Sequence, residues 1–105
     1  MILETKEILN EIKQTVQEII PDAKVYLFGS RVTGKVHEES DWDILAITSL
    51  KVSSKLKDNI REKLSALTNQ DYFFIDLKIV NEKDWYESPS YYVLRHSIKD
   101  EVVEI

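Results

Sequence analysis

Residues 28–45 read FGSRVTGKVHEESDWDIL, and they hold both glycines of the chain, Gly29 and Gly34, with no sustained apolar period between Gly29 and Ser40. The segments on either side read as strands. Upstream, Lys24 to Phe28 is rich in Val, Tyr and Phe and is bounded by Pro21-Asp22 and by Gly29. Downstream, Asp41 to Thr48 carries two acids and then the continuous apolar run Ile44, Leu45, Ala46, Ile47, the pattern of a strand covered on both faces. A glycine-bearing loop between two strands, followed by Asp-x-Asp at the start of the second, is the feature from which the rest of the reading proceeds.

Outward from this core the chain alternates helix and strand. Ile8, Leu9, Ile12, Val16, Ile19 and Ile20 recur at steps of three and four and predict a helix over 5–20, stopped by Pro21 and Asp22. Leu56, Ile60, Leu64 and Leu67 predict a second helix over 53–67, with serines placed to cap its start and Asn69 and Gln70 to close it. Residues 72–80 alternate, with Phe73, Ile75, Leu77 and Ile79 on one face and Tyr72, Phe74, Asp76 and Lys78 on the other. The tail reads as a short helix over 81–86, a break at Ser88-Pro89, a helix over 91–98 and an extended piece over 102–105. This is an α/β (α+β) pattern in a single domain, residues 1–105, with a sheet on which helices pack.

The chemistry-bearing residues converge if the first two strands are antiparallel neighbours, because the end of one must then meet the start of the next. Gly29 lets the backbone approach a ligand closely, and Ser30 with the amides after it suits an anion-binding helix start. Arg31 is a charge-assisted donor to phosphate or, on the bland reading, a solvated loop cation. Asp41 and Asp43 point to the same side of a strand, with their bases ~6–7 Å apart. Carboxylates so placed suit a hard cation such as Mg²⁺; the bland alternative is a solvated turn with a capping acid. Asp76, set inside a hydrophobic strand, implies a partner or a metal if it is buried; an edge-strand acid facing water is the competing reading.

Composition narrows the classes. The chain has 105 residues, 43% hydrophobic and 31% charged, which is the balance of an ordinary globular domain. A net charge of −5 and a pI near 5.0 argue against direct binding of a nucleic-acid backbone. There are no cysteines, so disulfides and thiolate metal sites are excluded. No apolar run is long enough to span a membrane, and the N-terminus lacks the order of a signal peptide, so a cytoplasmic protein is expected. His37 and His96 lack a second ligand at metal-binding spacing and are read as surface or structural. Trp85, Tyr86, Tyr91 and Tyr92 are read as packing the tail onto the sheet, with any exposed subset available to a partner.

Taken together, Gly29-Ser30-Arg31, Gly34 and Ser40-Asp41-Trp42-Asp43-Ile44 resemble the signature of the DNA polymerase beta-type nucleotidyltransferase superfamily, and within it the minimal nucleotidyltransferases often paired with a HEPN-domain protein. The resemblance implies the nucleotidyltransferase fold: a small mixed sheet in the order α-β-α-β-α-β, followed by C-terminal helices. It implies that Gly29, Ser30 and Arg31 bind the phosphates of a nucleoside triphosphate, ATP. Asp41, Asp43 and Asp76 would hold two Mg²⁺ ions, with Asp76 helping to activate the acceptor hydroxyl. Thr33 stands where many relatives carry a second arginine. The implied function is that of an antitoxin transferring AMP to a HEPN-domain toxin, onto a tyrosine hydroxyl. Transfer to a small hydroxylated molecule, which would need a homo-oligomer to form its pocket, and a non-catalytic binding module are the alternatives.

Overall fold

The computed structural model describes residues 5–29, 42–71, 75–99 and 101–105, the side chains of residues 5, 6 and 67–71 excepted. Ser30, Arg31 and Asp41, the helix expected to begin at Ser30, and His37 lie outside the described residues.

Helix α1 (Thr5–Ile19) buries one stripe, with Ile8, Ile12 and Val16 each four residues apart and Ile20 continuing the line. Ile20 N–H still donates to the Val16 carbonyl at 2.8 Å, after which Pro21 stops the ladder. Four strands follow: β1 (Lys24–Phe28), β2 (Trp42–Thr48), β3 (Ile75–Asn81) and β4 (Val103–Glu104). They form one mixed sheet in the order β3-β2-β1-β4. The first two strands are antiparallel neighbours as expected, β4 adds antiparallel to the far edge of β1, and β3 runs parallel to β2. The β2–β3 crossover is made by helix α2 (Ser54–Asp71), as a parallel pair requires.

Every residue of β2 except Asp43 is buried, so the expectation of a strand covered on both faces holds. One face, with Val25, Leu27, Trp42, Ile44, Ala46 and Ile79, meets α1 and α2 through Ile12, Val16, Ile60 and Leu64. The opposite face, with Phe28, Leu45, Ile47 and Val80, meets Trp85 and Ile98 from the C-terminal helices. Each of the fully buried aliphatic side chains contributes roughly 1.5–3 kcal/mol by leaving water.

Helix α2 extends past the expected end. Leu56 N–H is capped by Ser53 Oγ at 3.2 Å, but Asn69 and Gln70 remain helical through Asp71. Neither stops a helix: Gln is a good helix former and Asn costs only a few tenths of a kcal/mol there, whereas Gly or Pro would be needed for a sharp end. The described part of β3 ends one residue later than expected, at Asn81, whose side-chain oxygen then caps helix α3 (Glu82–Glu87) by accepting from Lys83 N–H at 2.9 Å. Ser88 caps a 3₁₀ turn (Pro89–Tyr91), and helix α4 (Tyr92–Ser97) completes the cover.

At the ends of β1 and β2 opposite Gly29, Asp22 ties the α1–β1 turn to the end of β2. It accepts from Ser49 Oγ at 2.6 Å, from Thr48 Oγ1 at 2.7 Å and from Ser49 N–H at 2.9 Å. These bonds, the Ser49 hydroxyl first, pull the carboxyl pKa down from 3.8 to about 2. A folded pKa below the unfolded one means the stabilisation is present above about pH 4 and is lost as pH falls toward 2. Asp22→Asn is therefore expected to be less stable than the parent at pH 6 and to approach it at pH 2.5, as followed by urea unfolding at each pH.

Candidate active site

The C-terminal end of β1 meets the N-terminal ends of β2 and β3 at one rim of the sheet. Phe28 pairs with Asp43 across the antiparallel ladder, and Asp43 pairs with Asp76 across the parallel one. In-register partners on adjacent strands share a face and stand roughly 5 Å apart at their backbones. Both carboxylates thus rise from the same face, the one that α3 and α4 cover farther along at Leu45, Ile47 and Val80. At the rim Asp43 is half-buried and Asp76 exposed.

Gly29 closes the third side. Its φ of +82° lies in the left-handed region that side chains disfavour. A Cβ built there would collide with Asp43 Oδ2 and lie 3.1 Å from Asp43 Cγ. The missing side chain is therefore the space that the Asp43 carboxylate occupies. Glycine serves two needs here, a backbone turn leaving β1 and room for an acid from the neighbouring strand.

Of the residues expected to act together, the structure brings Gly29, Asp43 and Asp76 to one rim. Among the described residues no three potential metal ligands gather, and Asp41, Ser30 and Arg31 lie outside them. Asp76 is not buried: it is the edge-strand acid facing water of the competing reading. Alternation assigns a residue to a face, but the cover that buries Phe28, Leu45 and Val80 on that face does not extend over Asp76. The case for Asp76 rests on its register with Asp43. The aromatic residues divide: Trp85 is buried and tilts against Tyr91 at 5.9 Å, while Tyr86 and Tyr92 are 60% and 55% exposed. His96 lies against Tyr92 on the exposed surface, the ring centroids 4.3 Å apart and the planes tilted by 47°.

Sequence reasoning missed the surroundings of Asp76. A groove of about 270 Å³ runs along the outer edge of β3 from Asp76 to Val80, flanked by Lys57 and Arg61 of α2 on one side and Tyr91 on the other. The i, i+4 spacing of Lys57 and Arg61 was the available signal, since it places both on one helix face.

Residues 9–103 match the family model described as nucleotidyltransferase domain. A relative from Haemophilus influenzae named "Probable protein adenylyltransferase MntA" is 36% identical over 54 residues, which is 51% of this chain and 47% of the relative. The matched stretch is thus about half the length of that relative. A chain from the crystal structure of a toxin-antitoxin with AMP-PNP superposes with a TM-score of 0.63 at 22% identity, covering 90% of this chain and 69% of its own. A chain from a complex of tri-AMPylated Shewanella oneidensis HEPN toxin with MNT antitoxin gives 0.57 at 19% identity, covering 90% and 66%. At these identities the structural likeness is one of fold. No helix among the described residues is long and apolar enough to cross a membrane.

Proposed function

This chain belongs to the nucleotidyltransferase domain family, and we propose that it transfers AMP from ATP to a hydroxyl of a partner protein, as the antitoxin of a pair with a HEPN-domain toxin. The observation that carries the transferase part is the packing of Asp43 into the space left by Gly29, with Asp76 beside it in register. The antitoxin part is supported by the adenylyltransferase relative and by the fold shared with chains from toxin-antitoxin complexes, one holding AMP-PNP and one an AMPylated HEPN toxin.

In this reading the Gly29 turn brings backbone amides close to the β and γ phosphates, and Ser30 and Arg31 add hydroxyl and guanidinium donors to the same oxygens. The acceptor oxygen attacks the α-phosphorus in line: the new O–P bond forms, the α–β bridging P–O bond breaks, and pyrophosphate leaves with its electron pair. Asp76, exposed on the outer strand, would receive the proton of the acceptor hydroxyl in this reading. The donor set fits Mg²⁺, because Asp43 and Asp76 offer hard carboxylate oxygens side by side and Asp41 would add a third. Bound there, the two ions would supply charge neutralisation at the phosphates and a lowered acceptor pKa.

The direct test incubates the protein with ATP, Mg²⁺ and the product of the neighbouring gene, and reads intact mass. The expected result is a mass gain of one or more AMP groups on the partner, absent with Asp41→Ala or Asp43→Ala. No gain, or a gain that survives both substitutions, refutes the assignment.

A further inference from the structure

β3 is the outer strand of the sheet, and among the described residues its one neighbour is β2. In a parallel strand every second residue directs its N–H and C=O away from the paired neighbour. The outer edge of β3 therefore presents backbone donors and acceptors at peptide spacing, the template to which another extended chain adds. Proteins commonly protect such an edge with a covering element or with lysines placed on it. Here the edge carries one such lysine, Lys78, and among the described residues no further strand pairs along it; it forms a groove whose side chains are specific in charge.

Lys57 and Arg61 stand on the α2 side, Lys78 on the strand itself, and Tyr91 on the α4 side. The chain as a whole carries a net charge of −5, so three cations along one groove run against its average. Among the described residues the one ion pair is Lys63 with Glu18, elsewhere on α2, and no carboxylate ion-pairs with Lys57, Arg61 or Lys78. The groove contains a single acid, Asp76, at the rim end.

We propose that the outer edge of β3 is the acceptor-docking site, and that it takes an extended acidic segment of the acceptor protein, paired to β3 as an additional strand. Acidic side chains of that segment meet Lys57, Arg61 and Lys78, and Tyr91 lies against it from the other side. A hydroxyl-bearing residue at the rim end of the segment then lies beside Asp76. The role of the docked hydroxyl rests on the transferase reading; the docking itself does not. A peptide is favoured over single-stranded nucleic acid because the open edge offers backbone hydrogen bonds, which match a peptide and not a sugar-phosphate chain.

The test uses the full chain without nucleotide and a fluorescein-labelled peptide in which glutamates flank one tyrosine, read by anisotropy. Saturable binding is expected, weakened about tenfold by K57E/R61E and by raising salt to the molar range, and unchanged by Asp43→Ala. Hydrogen exchange is expected to slow on peptide addition at residues 75–81 and not at β4. K57Q/R61Q serves if the charge-reversed pair does not fold, and should lie between the parent and K57E/R61E. Equal binding of a peptide with lysines in place of the glutamates overturns the proposal. So does binding that K57E/R61E and K57Q/R61Q leave intact, protection away from β3, or equal competition by oligouridylate. Because Asp43→Ala is expected to lose transfer and keep peptide binding, loss of the enzymatic reading and loss of this one give different results.

Discussion

Asp43→Asn is expected to lower AMP transfer by on the order of 10³-fold, roughly 4 kcal/mol of transition-state stabilisation, without lowering the melting temperature of the metal-free protein. Asn keeps the size of the side chain and its capacity to accept hydrogen bonds, so the packing against Gly29 survives. What it removes is one negative charge from a pair that the β2–β3 register holds side by side. Repulsion from Asp76 is relieved while an amide of the same shape can still make hydrogen bonds at that position, so the metal-free variant should melt near the parent temperature. The parent should gain melting temperature with Mg²⁺ and ATP, as ligand linkage requires, and the variant should gain much less. A fall in activity accompanied by an equal collapse of metal-free stability would instead make Asp43 a structural residue. Differential scanning fluorimetry with and without Mg²⁺ and ATP, beside the intact-mass assay, separates the two.

Gly29→Ala should cost both stability and activity, by two separable causes. A side chain at φ +82° costs about 1–2 kcal/mol of backbone strain, which in a domain of this size lowers the melting temperature by roughly 5–10 °C. The new Cβ also claims the space of Asp43 Oδ2, so the carboxylate must turn away from its place beside Asp76, and transfer should fall nearly as far as in Asp43→Asn. Asn is the discriminating substitution. It tolerates the left-handed region better than Ala but still carries a Cβ, so Gly29→Asn should recover part of the melting temperature and little of the activity. Full activity in either variant would show that the Gly29–Asp43 contact does not position the acid.

Much of this was readable along the chain because it depends on neighbours in sequence. The stripe of Ile8, Ile12, Val16 and Ile20, the limits of β1 between Asp22 and Gly29, and the apolar run after Asp43 are local patterns with local causes. The cap at Ser53 belongs to the same class; those at Asn81 and Ser88 have the same local cause, a side chain answering an amide two or three residues away, but the sequence reading did not name them. The end of α2 was not readable, because nothing between Leu67 and Asp71 forbids a further turn and the stopping point is set by where the chain must enter β3.

The pairing of Asp43 with Asp76 is of another kind. Alternation assigns each acid to a face of its own strand. Whether the two faces coincide, and at what register, follows from the parallel crossover through α2, which spans the whole segment between them. The exposure of Asp76 likewise depends on how far α3 and α4 reach along the sheet, a matter of packing between elements distant in sequence. The Gly29-Ser30 pair and the spaced acids are thus written into residues 28–45 as chemistry, in an order that only a few local rules interpret. The meeting of Gly29 with Asp43, the neighbour beside it on β3 and the cationic groove along that strand exist only once β1, β2, β3 and α2 are assembled, because strand register and burial are set by contacts between segments and by no residue alone.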